Sequence, residues 1–108
     1  MSSRNVVISV DPETGDITYA PSALHVSQKD TVIWETAGRH PFTIVFPQTP
    51  FADGTVSLRS SGLPVESHPF APAALGIYHY LVAVAVGGGK DGAKIFLDAG
   101  CPDIIVGK

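Results

Sequence analysis

Apolar and polar positions alternate with a period of two along most of this chain. In residues 5–10, Val6, Ile8 and Val10 share one parity against Asn5, Val7 and Ser9, the spacing of a strand buried on one face. Val32 and Trp34 repeat the pattern in residues 31–35 with Ile33 opposite, and Phe42, Ile44 and Phe46 repeat it after Pro41. The longest run begins at Gly76. There Tyr78, Tyr80, Val82, Val84 and Val86 leave one side of an extended chain, while His79, Leu81, Ala83 and Ala85 leave the other. The first set predicts a buried face, and the second is small and mixed enough to be covered only in part. Shorter extended stretches are expected at 17–20, 24–26, 55–59, 93–97 and 103–106.

The residues between these runs are turn formers. Asp11-Pro12-Glu13-Thr14-Gly15-Asp16 closes the first strand, Pro21 should break a ladder so that the chain changes partners or sheets, and Pro47 stops the run from Phe42. Residues 48–72 read as a long, loop-rich crossover with 55–59 as its one plausible strand, and residues 87–92 as a flexible glycine hairpin. No stretch carries a helical period. The expectation is an all-β, Greek-key β-sandwich of seven to eight strands, with residues 1–108 forming one domain.

Composition narrows the partners. At 108 residues the chain is long enough to bury roughly two thirds of its unfolded surface. A net charge of −3, with Lys and Arg scattered singly, provides no basic stripe for nucleic acid. The longest apolar run, residues 80–86, is far short of the ~20 residues that span a bilayer, so membrane insertion is not expected. Met1-Ser2-Ser3-Arg4-Asn5 has no basic head leading into an apolar core, and the single cysteine, Cys101, cannot close an internal disulfide. Both point to the cytoplasm.

Two segments resemble the cupredoxins, the Greek-key sandwich family that includes the blue copper electron carriers. Val26-Ser27-Gln28-Lys29-Asp30-Thr31-Val32-Ile33-Trp34 is similar to the family run of a valine, Gly-Asp and a strand ending in Trp, with Lys29 standing where Gly is usual. Gly76-Ile77-Tyr78-His79-Tyr80-Leu81-Val82 is similar to the run that leads into the copper-binding Cys, His and Met, and residues 103–106 resemble the closing strand. The resemblance implies the sandwich fold and makes His40, six residues beyond Trp34, the match to the first copper-binding His. It also places Val82 at the thiolate position, and no His or Met follows it. A type 1 site needs a thiolate and two imidazoles, so blue copper chemistry is not expected.

Other chemistry is sparse. His40 and Cys101, with His68 or His79 as a third donor, are the candidate ligands for an atypical copper or zinc site. Against this, His40 suits the cap of a strand edge, and an isolated cysteine suits a small apolar filler. Asp98 and Asp103 bracket Cys101, and neighbouring carboxylates raise a thiol pKa, which disfavours a reactive nucleophile. The G-x-G-x-x-G pattern at 87–92 leads into a strand and not a helix, so the amides that would hold a pyrophosphate are missing. The expected function is a non-enzymatic binding or interaction module without a cofactor. Its partner, a protein or a second copy, would dock on an edge strand such as residues 5–10 or on the 48–72 crossover, where Phe51 and Phe70 could be presented. The alternative is the metal-binding protein built on His40 and Cys101.

Overall fold

The structure is a computed structural model and describes residues 3–87, 92–98 and 102–107. Among these residues eleven strands form: β1 (Ser3–Val10), β2 (Ile17–Ala20), β3 (Ala23–Ser27), β4 (Thr31–Thr36), β5 (Phe42–Val45), β6 (Ser57–Ser60), β7 (Val65–Glu66), β8 (Gly76–His79), β9 (Leu81–Gly87), β10 (Ala93–Asp98) and β11 (Asp103–Gly107). They build three sheets, ordered β2-β1-β4-β7, β10-β9-β5-β6 and β3-β11-β8. The first packs against the other two as a β-sandwich, and its Val6, Ile8, Val32 and Trp34 share one buried cluster with Ile44, Val82 and Val84 of the second and Leu24, Ile104 and Val106 of the third. Pairing is antiparallel except for β1 with β4 and β3 with β11. No helix among the described residues is long and apolar enough to cross a membrane.

Eleven strands exceed the seven to eight expected, in part because the run from Gly76 is divided where it changes sheets and because the crossover, where one strand was expected, holds a second, β7. The run from Gly76 pairs with β11 as far as His79 and with β5 and β10 from Leu81 onward. Tyr80 is the pivot, and its N–H donates to the Pro102 carbonyl at 3.1 Å. Pro21 marks the same kind of change, since β2 belongs to the first sheet and β3 to the third. The 48–72 crossover also changes sheets, with β6 on the second and β7 on the first.

Parity along the central run is as the alternation predicts. Tyr80, Val82 and Val84 are buried, whereas His79 and Leu81 are exposed and Ala83 and Ala85 half-covered. Two expectations fail. Residues 5–10 are not an edge, because β1 is hydrogen-bonded to β2 on one side and β4 on the other. A parallel partner so distant in sequence leaves no local signal. Phe51 and Phe70 are not presented to solvent either: both are buried, a backbone bridge joins them, and the Phe51 ring lies 5.2 Å from Phe46 and 5.8 Å from Phe70. Burying both rings completes the apolar interior at the end of the crossover.

Candidate functional site

Val82, which the resemblance sets at the thiolate position, is packed in the apolar cluster of the described residues. Val82 is opposite Ile44 on β5, both buried. On its other side it faces Asp98 of β10. Beneath it the Tyr80 ring meets Trp34 at 5.7 Å and Phe46 at 5.4 Å. Burial pushes the Tyr80 phenol up to about 12. The Trp34 indole N–H leans on the phenol oxygen and offsets a little of this, yet the approach falls short of hydrogen-bond geometry. Both polar atoms therefore lie buried without a partner among the described residues. Neither an indole nor a neutral phenol supplies what a type 1 copper ion requires, so among the described residues the side chains beside Val82 do not fit that metal.

The three candidate histidines lie apart. Phe42 pairs with Val84, and the Pro41 carbonyl accepts the Ala85 N–H, so His40 lies past the far end of β5 from Val82. Ile44, the partner of Val82, is four positions on from His40, roughly 13 Å of extended chain. The His40 ring covers Gly38 so closely that a β-carbon there would come within 2.8 Å of Nε2, and Gly38 has φ +87°, a value that favours glycine. Thr36 Oγ1 donates to the His40 carbonyl at 2.8 Å, so this segment is a fitted turn at a strand end. His68 is held through Nδ1 by Asp53 at 2.6 Å, beside Thr55 Oγ1 at 3.1 Å. The Thr55 N–H first, and then His68, lower the Asp53 pKa to about 2. His79 pairs with Asp103. Among the described residues no three His, Cys, Asp or Glu side chains converge to hold a metal ion. Cys101 lies outside the described residues, as do residues 88–91 of the glycine hairpin.

One cleft, about 500 Å³, is lined by Tyr19, Ser22, Asp98 and Asp103 among others. The Tyr19 hydroxyl donates to Asp98 at 2.6 Å. Burial first, and then the bond to and charge of Asp98, hold that phenol far above its ordinary value of 10.0. A phenol so held keeps its proton at neutral pH and is no general base.

The feature absent from the sequence reading is the outer face of the β10-β9-β5-β6 sheet. Ile95 pairs with Ala85 and Leu97 with Ala83 across β9, and Val45 pairs with Leu81 from β5. These side chains share one face, on which Ile95 is 61% exposed, Leu97 77%, and Leu81 and Val45 37% each. A groove of about 260 Å³ continues the face between Thr43, Arg59, Ala83, Ala85 and Ile95. Contiguous exposed hydrocarbon of this kind marks surfaces that other molecules cover.

Comparison with known proteins bears on the fold. No protein-family model matches the chain, and no curated protein matches it in sequence. Among solved structures the chain is similar to a purple cupredoxin from Nitrosopumilus maritimus, with a TM-score of 0.51 and 18% identity over 96% of this chain and 99% of that one. It also aligns with the N-terminal domain of ORF48 from phage TP901-1, at a TM-score of 0.49 and 12% identity over the whole of both chains. The sandwich expected from the alternation and from the two cupredoxin-like segments is thus a fold shared with a cupredoxin of known structure.

Proposed function

We propose that this chain is a cupredoxin-like, non-enzymatic interaction module without a type 1 copper centre, working through the apolar outer face of its β10-β9-β5-β6 sheet. The observation that carries the reading is the exposure of Ile95 and Leu97 on the same sheet face as Leu81 and Val45. Hydrocarbon side chains so exposed gain about 25 cal/mol for each Å² that a partner covers. Two further features support it: Val82 and Ile44 at the thiolate corner, and histidines engaged in a turn and in carboxylate pairs. A lone cysteine among 108 residues suits a reducing compartment, so the module is assigned to the cytoplasm.

The test is a photo-reactive amino acid placed at Ile95 in cells. A discrete protein adduct that disappears in Leu97→Lys is the expected result, and no adduct with any protein, a second copy included, would overturn the reading. Titration of the reduced protein with Cu(I) and zinc examines its metal-free part. Submicromolar binding lost in both His40→Ala and Cys101→Ala would replace the interaction module by a metal-binding protein.

A further inference from the structure

We propose that the partner of this surface is a second copy of the chain, docked antiparallel on the β10 edge so that the two β10-β9-β5-β6 sheets become one across a two-fold axis at Phe96. The inference rests on the interaction reading above and adds the identity, edge and register of the partner.

The direction of the backbone groups comes first. The Ala85 N–H points to the Pro41 carbonyl before β5. In an antiparallel ladder successive residues bond to alternate sides, so odd-numbered residues of β9 bond toward β5 and even-numbered ones toward β10. Val82, Val84 and Val86 face Asp98, Phe96 and Lys94. Those three residues therefore spend their backbone groups on β9, and Ile95 and Leu97 turn theirs to the open edge, where β10 has no other strand neighbour among the described residues. An edge of this kind is a template for a further strand.

The side chains then select the strand that fits. Around Phe96 the order is Lys94-Ile95-Phe96-Leu97-Asp98, which is self-complementary when reversed. A two-fold axis through Phe96 sets Ile95 opposite the partner's Leu97, and each such pair exchanges both of its N–H···O bonds, as the outward backbone groups require. It sets Lys94 opposite the partner's Asp98 on both sides of the axis, and Phe96 opposite its own copy at a closely spaced position, on the inner face where its ring already lies against Gly15. A shift of two residues either way places Phe96 against Lys94 or Asp98 and loses both ion pairs. Asp98 already accepts the Tyr19 hydroxyl, and a carboxylate takes several donors at once, so a lysine from the partner is compatible with that bond. On the outer face the two copies bring four strongly exposed side chains, Ile95 and Leu97 of each, into one row. The interface is isologous and closes at two copies.

The experiment combines sedimentation of the full chain with amide hydrogen exchange. A dimer whose Ile95 and Leu97 amides are protected at high concentration and exposed on dilution is the expected result. Leu97→Lys should be monomeric, and Lys94→Glu, which replaces attraction by repulsion at both ion pairs, should weaken the dimer about tenfold. Lys94 is exposed, so this variant remains informative if Leu97→Lys fails to fold. A monomer at every soluble concentration overturns the dimer while an adduct of Ile95 with another protein would leave the interaction reading standing. A dimer with unprotected Ile95 and Leu97 amides also overturns it, since the contact would then lie elsewhere.

Discussion

The two edges of the β10-β9-β5-β6 sheet present opposite chemistry on the same outer face. At the β6 edge the outward side chains are Ser57 and Arg59, both exposed and polar, while Leu58 between them points into the core. At the β10 edge they are Ile95 and Leu97, and Phe96 between them is the half-buried residue. Sheet edges are commonly kept apart by charge, and Arg59 is such a guard. Lys94 and Asp98 do not guard β10 in the same way, because they are of opposite sign and an antiparallel copy brings them together. The difference teaches that an edge is closed or open according to whether its pattern of side chains tolerates its own reverse.

The comparison can be broken most completely from the interior that supports both edges. Val82→Asp would bury a carboxylate between Ile44 and Asp98, at a cost of about 4 kcal/mol or more. Thermal unfolding should show the loss, and a variant that melts with the parent would mean that Val82 does not face the shared core. The next largest effect is expected from making the edges alike. Ser57→Ile with Arg59→Leu removes the guard from β6 without touching the core, and a chain with two open edges should form assemblies larger than a dimer. Sedimentation reads this directly, and an unchanged mass would show that outward side chains do not decide which edge associates.

The smallest effect concerns the phenols beside β10. Tyr19 and Tyr80 have pKa values raised by burial, Tyr80 to about 12. Because the folded state holds these protons more tightly than the unfolded chain, their contribution is fully present below the ordinary value of 10.0; that of Tyr80 is lost as pH rises through about 12, and that of Tyr19 at still higher pH. Denaturant unfolding should show stability falling across that window. Tyr80→Phe removes a buried hydroxyl with no partner among the described residues, so it should be neutral or stabilising at neutral pH and should flatten the alkaline slope. A steeper slope in the variant would contradict the burial argument. Tyr19 bonds to Asp98, so an alkaline loss of dimer alongside the loss of stability would tie this phenol to the edge it underlies.

What could be read of the site from the chain alone was uneven. Val82 in the Gly76 run was legible as a buried hydrocarbon because four residues of its parity, Tyr78 and Tyr80 before it and Val84 and Val86 after it, flank it. The place of His40 in the fold was not legible: its distance from Trp34 along the chain matches a ligand spacing, while the register that sets Phe42 opposite Val84 and Ile44 beside Val82 belongs to the ladder. The β10 face was not legible at all. Ile95-Phe96-Leu97 is apolar on both faces, so no alternation says which residues point outward, and the pairing of Phe96 with Val84 alone settles it.

The alternating rows by themselves determined that the chain forms strands, which side chains enter the core, and where Pro21 and the 48–72 crossover carry it between sheets. A period of two suffices for this, because burial acts on each strand through its own residues. Which strands become edges was decided only by the tertiary structure. Edge or interior is a property of neighbours, and β1 finds β4, and β9 finds β5, through contacts that no local pattern encodes.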